Sequence, residues 1–179
     1  MKRLLFLLSL LFLFVFVFSC AEPVQHVYYT RYLEPIYNES FVHFKACGNF
    51  LKQKDAEEYF VYLKNRAQET RANINWINLE LDCKKESLEK VREELKDKTY
   101  LVCQFHAVER TELKNIIYEL KAYCIKTGLA NIIEKSKSFK SEVSISPPIV
   151  IMVYEELLKG EICEFFGCIT FQERVLVSP

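Results

Sequence analysis

Seven cysteines, three histidines and the adjacent acids Glu57-Glu58 and Glu155-Glu156 are the residues in this 179-residue chain whose types and spacing raise chemistry first. A structural zinc site draws on close cysteine pairs such as C-x-x-C, and none is present. His26, His43 and His106 form no H-x-x-x-H pair. Cys103 and His106 lie three residues apart, close enough to raise a thiol nucleophile with its base, but no nucleophile motif surrounds them, and a structural disulfide at Cys103 is the expectation. Glu57 with Glu58, and Glu155 with Glu156, would point about 100° apart on a helix, so neither pair converges on one substrate atom. Glu57 and Glu58 suit a helix N-terminus, where negative charge is favourable, and Glu155 and Glu156 suit a solvated face. There is no G-x-S-x-G elbow, no glycine-rich phosphate loop and no H-E-x-x-H. The sequence therefore predicts no catalytic residue, no metal and no cofactor, and a protein that is not an enzyme.

The cysteines take their meaning from the first 21 residues. Met1-Lys2-Arg3 is basic, Leu4 to Phe18 is apolar apart from Ser9, and Ser19-Cys20-Ala21 is a run of small residues, which is the anatomy of a secretory signal peptide. The apolar run of 15 residues would span about 22 Å as a helix, short of a hydrocarbon core of roughly 30 Å, so a retained anchor is disfavoured. A lipidated Cys20 is disfavoured by bulky Phe18 and the absence of a Gly/Ser tether. Cleavage after Ala21 would leave Cys47, Cys83, Cys103, Cys124, Cys163 and Cys168, an even set suited to three disulfides in an oxidising compartment. Six cysteines allow fifteen pairings, and spacing does not choose among them. Cys163 and Cys168 could close a local bridge around Gly167 or each reach a distant partner.

Losing Lys2 and Arg3 takes the 24 basic residues to 22 against 24 acidic, so the mature chain would be slightly acidic. No Lys/Arg block offsets this, and nucleic acid is excluded as an expected partner. Stable membrane insertion after signal cleavage is not expected either. Asn38-Glu39-Ser40 is an N-glycosylation sequon, which places Asn38 in an exposed loop if it is used.

The elements that must carry these residues read as helical. From Asn49 to Thr127 there is no Gly or Pro, and both residues break helices. Asp55 with Glu58 predicts an N-cap and capping box. Beyond it Phe60, Leu63, Ala67, Thr70, Ile74, Ile77, Leu81, Lys84, Leu88, Val91 and Leu95 alternate in steps of three and four, which predicts one helix over 56–96 or two that break near Asp82 to Lys85. A single rod would be about 60 Å long, so the break is favoured. A further helix is predicted from Thr111 to Gly128 on the stripe Leu113, Ile116, Ile117, Leu120 and Cys124, and another from Ser146-Pro147-Pro148 to Gly160. Ser136 to Ser146 reads as an exposed linker. Tyr100 to Val108 and Ile169 to Val177 are rich in β-branched and aromatic residues, consistent with two strands, although the first also fits a buried helix.

These readings predict a signal peptide at 1–21 followed by a single helical domain at 22–179: mainly α, a disulfide-braced bundle of about four to five helices, with room for a minor two-stranded β element. The cysteine pattern lacks the C-x-x-x-C of insect odorant-binding proteins and the paired terminal cysteines of saposins. The function expected is secretion followed by non-catalytic binding of an extracellular protein partner, with Trp76 and the ten tyrosines as contact candidates. The alternative is a carrier of an apolar small molecule or lipid in an internal cavity.

Overall fold

A computed structural model describes residues 25–33, 35 and 39–176. The expected signal peptide with Cys20, the side chain of His26 and the sequon asparagine Asn38 fall outside the described residues or side chains. The chain divides into two compact units. β1 (Gln25–Leu33) and β7 (Cys168–Leu176) pair as a two-stranded sheet, of which residues 25–31 and 170–176 are the described part of the smaller unit. The larger, Tyr32–Ile169, carries a five-stranded sheet in the order β3-β2-β4-β5-β6.

Its strands are β2 (Glu39–Gly48), β3 (Asn73–Trp76), β4 (Tyr100–Glu112), β5 (Asn115–Lys126) and β6 (Ile133–Ser141). Four helices accompany them: α1 (Gln53–Ala67), α2 (Ser87–Glu94), α3 (Pro147–Leu157) and α4 (Lys159–Phe166). β2 pairs in parallel with both β3 and β4, and β4, β5 and β6 run antiparallel. The fold is therefore mixed α/β, with about equal helix and strand, and the expected mainly helical bundle is incorrect.

Alternation along β4 explains how one strand serves two layers. Leu101, Cys103, Phe105 and Ala107 join the core under α1, α3 and α4, while Tyr100 and Val102 pack with Leu88 and Val91 of α2 on the opposite face. A strand covered on both sides reads as a nearly continuous apolar run, and in Tyr100 to Val108 only Gln104 and His106 interrupt it.

The helical prediction for Thr111 to Gly128 fails because two periods coexist there. Tyr118, Leu120, Ala122 and Cys124 are buried and alternate with Glu119, Lys121 and Tyr123, a strand period, and Ile116, Ile117 and Ile125 are β-formers. Leu113, read as the start of a buried helical stripe, sits with Lys114 in the two-residue link between β4 and β5, has φ 55° and is 100% exposed.

Neither helical reading of 56–96 holds. α1 and α2 lie at its two ends, and β3 and a loop lie between. The first helix closes through a 3₁₀ turn (Gln68–Thr70) on to Arg71, whose φ of 59° is the left-handed stop normally given to Gly or Asn. The helix also begins two residues before Asp55, whose carboxylate accepts a hydrogen bond from the Lys52 N–H at 2.6 Å instead of serving as the N-cap. Ser136 to Ser146 is not a linker at its start: β6 runs to Ser141 as an exposed edge strand whose Lys135, Lys137 and Lys140 discourage pairing with another chain. The Pro147 helix forms as expected, but Gly160 falls inside α4 and does not end a helix.

Candidate functional site

All six cysteines of the expected mature chain are disulfide-bonded: Cys47 to Cys83, Cys103 to Cys124, and Cys163 to Cys168. Cys103 and Cys124 are directly opposite one another on β4 and β5, on the helix-covered face of the sheet. His106 lies on the other face, edge-on to Tyr123 at 5.2 Å, so Cys103 and His106 do not form a nucleophile and base. Cys47 and Cys83 tie the end of β2 to the loop before α2. Gln104, fully buried, holds the same loop by donating from Nε2 to the carbonyls of Asp82 and Lys84 at 2.8 and 2.9 Å. His106 Nε2 is 3.2 Å from Gln104 Oε1, and the hollow it borders with Lys85, Glu119 and Lys121 contains a sulfur, Cys83, already committed to a disulfide. Among the described residues no group of three or more His, Cys, Asp or Glu side chains could hold a metal ion.

His43 is sealed in the core at 3% exposure, with Nδ1 2.9 Å from the Ile77 carbonyl, its ring 5.0 Å from Trp76, and Nε2 without a partner. Burial holds its pKa below the ordinary histidine value; the Ile77 carbonyl opposes this, Lys45 reinforces it and Glu57 opposes it. Burial and then Lys121 lower His106 likewise. In the unfolded chain each imidazole takes up a proton near pH 6.5, about the free value, whereas the folded protein resists it to lower pH. The stability this contributes is complete above that pH and is lost as pH falls toward the folded values. Melting temperature is accordingly expected to drop between about pH 7.5 and about pH 5.5, and His43→Gln to shrink the drop; an unchanged drop in that variant would remove His43 as its source.

A different surface has the form of a binding site. Asp55, Glu58, Tyr59 and Tyr62 of α1 are spaced i, i+3, i+4, i+7, and so are Pro148, Ile151, Met152 and Glu155 of α3; together with Pro147 they line an open groove of about 400 Å³. Arg66 bridges the two helices through Glu155 at 2.5 Å and lies over the Tyr62 ring at 5.5 Å, fixing one wall. Tyr59 and Tyr62 stack at 6.3 Å. Tyr62 is 54% exposed and Met152 67%, with Ile149 and Val61 exposed nearby in sequence. Tyr59 is buried, its hydroxyl has no partner in the protein, and burial, with Glu155 next, drives its pKa far up so that it stays protonated. An unpaired buried hydroxyl is costly, so Tyr59→Phe is expected to leave stability unchanged or raise it by about 1 kcal/mol in urea unfolding; a loss of that size would show that the hydroxyl is satisfied.

Of the expected contact candidates, Trp76 is half-buried in the core against Phe60 at 4.5 Å. Glu58 and Glu155 both line the groove, while Glu156 lines an adjoining hollow that shares Met152 and Glu155 with it and also holds Arg66 and Lys159. Tyr62 was one of ten tyrosines taken together, the two prolines were read only as a helix start, and Met152 was not singled out by sequence. Their signal was an excess of apolarity: Ile149 to Val153 is apolar without interruption, more than one buried face of a surface helix needs.

No protein-family model matches the chain, and no curated protein sequence matches it. Among solved structures, the PelC dodecamer from Paraburkholderia phytofirmans is similar at 8% identity and a TM-score of 0.38, over 75% of this chain and 96% of that one. A variant PelC dodecamer from the same organism gives 7% identity and a TM-score of 0.35 over 78% and 96%. The lipoprotein GNA1162 from Neisseria meningitidis gives 8% and 0.34 over 70% and 98%. At these scores the resemblances carry neither a fold nor a functional assignment. Three disulfides are compatible with an extracellular or secreted location, and among the described residues no helix is long and apolar enough to cross a membrane.

Proposed function

We propose that the protein is secreted and acts outside the cell by non-catalytic binding of a protein partner, received in the groove between α1 and α3. The observation that carries this reading is the exposure of Tyr62 and Met152 at the mouth of an apolar groove with a carboxylate rim. Apolar side chains clustered on the surface and edged by polar groups are the usual form of a docking surface, and aromatic residues are enriched at the centres of such interfaces. A carrier would need an enclosed apolar cavity, whereas this groove is partly open to solvent.

Affinity capture of the oxidised protein from its native fluid, beside a Met152→Lys variant, tests the proposal. Met152 is so exposed that the variant should fold with nearly unchanged stability. A protein partner recovered by the wild type is expected to fall about tenfold with the variant, the loss of one central contact. Equal recovery by both, or a stoichiometric lipid in place of a protein, overturns the reading.

A further inference from the structure

We propose that the partner presents a cationic amphipathic helix to this groove, its apolar side on Tyr62 and Met152 and its Lys or Arg residues on the carboxylates of Asp55, Glu58 and Glu155. The inference rests on the docking function proposed above and names the kind of segment docked.

Charge complementarity is the first argument. The ionisable carboxylic and basic side chains lining the groove are three acids and no Lys or Arg. Glu155 is shared with Arg66, but the second pair, Lys54 with Glu58, spans 3.5 Å between side chains 82% and 66% exposed, so a partner's cation can replace Lys54 at little cost. Asp55 uses Oδ2 for the Lys52 N–H, leaving its other oxygen for a partner. An acidic segment would meet like charge along both walls.

Backbone chemistry is the second. Both walls are helices, so the groove offers no sheet edge on which an extended peptide could add a strand. A helix brings its own backbone already satisfied and presents anchors at i, i+3, i+4 and i+7, the spacing that α1 and α3 themselves show.

Titration calorimetry and amide shift mapping on the full oxidised protein test this with three synthetic peptides of about 18 residues, long enough to hold helix. One is Leu/Lys amphipathic, one is its Leu/Glu counterpart, and one is Ser/Lys with the same charge and no apolar face. Expected are binding of the Leu/Lys peptide alone, shifts confined to α1, α3 and their flanks, affinity about tenfold weaker in Met152→Ser and about fivefold weaker in Glu58→Lys. Equal binding of the Leu/Glu peptide in the groove overturns the cationic assignment while leaving the docking function standing. Equal binding of the Ser/Lys peptide, shifts elsewhere, indifference to Met152→Ser, or no binding by any peptide overturns the assignment and removes the groove as a docking site.

Discussion

Gly48→Ala is expected to lower stability by about 3 kcal/mol or more, because strain and collision act together at this position. Gly48 ends β2 with φ +95°, a conformation L residues rarely adopt. A Cβ there would stand 2.2 Å from the Ala107 carbonyl oxygen and 2.9 Å from its carbon. The obstacle is backbone, so no rotamer change relieves it. The Ala107 oxygen also accepts from the N–H groups of Asn49 and Phe50 at 3.2 and 3.3 Å, and moving it would strip the bonds that turn the chain out of β2 toward α1. Urea unfolding should show a lower midpoint with an unchanged slope. Gly128→Ala is the control: its φ is +78° but nothing lies within 4 Å of the added carbon, so only backbone strain of about 1 kcal/mol remains. Similar losses in the two variants would sink the steric argument.

Burial was more legible in the sequence than geometry. Of the eleven residues read as one stripe, Phe60, Leu63, Ala67, Ile74, Leu81, Leu88, Val91 and Leu95 are buried, Thr70 and Ile77 are half-buried and Lys84 is exposed, and the buried ones belong to a helix, a strand, a loop and a second helix with its C-terminal end. Apolar residues seek the core whatever element carries them, and steps of three and four arise across an irregular path as well as along a rod. The missing signal was the left-handed stop at Arg71, since a chain that ends a helix without Gly or Pro leaves no local mark. For β4 the obstacle was different: two-sided cover leaves only Gln104 and His106 to mark alternation, so strand and buried helix look alike until the neighbours are known. For β5 the strand period was present in Tyr118, Leu120, Ala122 and Cys124, and it lost only because a helical subset of the same residues was also available.

The groove was illegible for a related reason. Tyr59 and Tyr62 differ by three positions, one facing the core and one the solvent, and sequence distinguishes them only when the buried face of α1 is known. Once the sheet places Ala56, Phe60 and Leu63 inward, Tyr62 has no apolar neighbour to hide under except α3, and α3 brings Met152, itself exposed. Two helices that each carry more apolar surface than the sheet can cover leave the remainder along their shared seam. The same packing that builds the core thus leaves the groove, so substitutions at the exposed Met152 should leave stability nearly unchanged and test the proposed docking alone.

Removing the Cys103–Cys124 disulfide by the double change Cys103→Ala, Cys124→Ala is expected to be the most damaging of the three disulfide deletions, at about 4–5 kcal/mol. Chain entropy alone favours a different order. The Cys47–Cys83 bridge spans 36 positions and Cys103–Cys124 only 21, a difference worth about 0.5 kcal/mol in favour of the longer loop. Burial reverses the ranking. Cys103 and Cys124 are both 0% exposed in the main core between sheet and helices, and deleting two sulfurs there leaves a void costing about 1–2 kcal/mol that the paired strands cannot close. Cys47 is buried but Cys83 is exposed, so its loss leaves little void. The Cys163–Cys168 bridge closes only five positions and is half-exposed at both ends, which limits its loss to about 2 kcal/mol. For a chain of this length 4–5 kcal/mol corresponds to roughly 10–20 °C in melting temperature, against a total stability of only about 5–15 kcal/mol. Thermal melts of the three double variants therefore decide between the two effects: if the Cys47/Cys83 variant melts lowest, loop entropy outweighs packing in this fold; if the Cys103/Cys124 variant does, the staple acts chiefly by filling the core between β4, β5 and the helices above them.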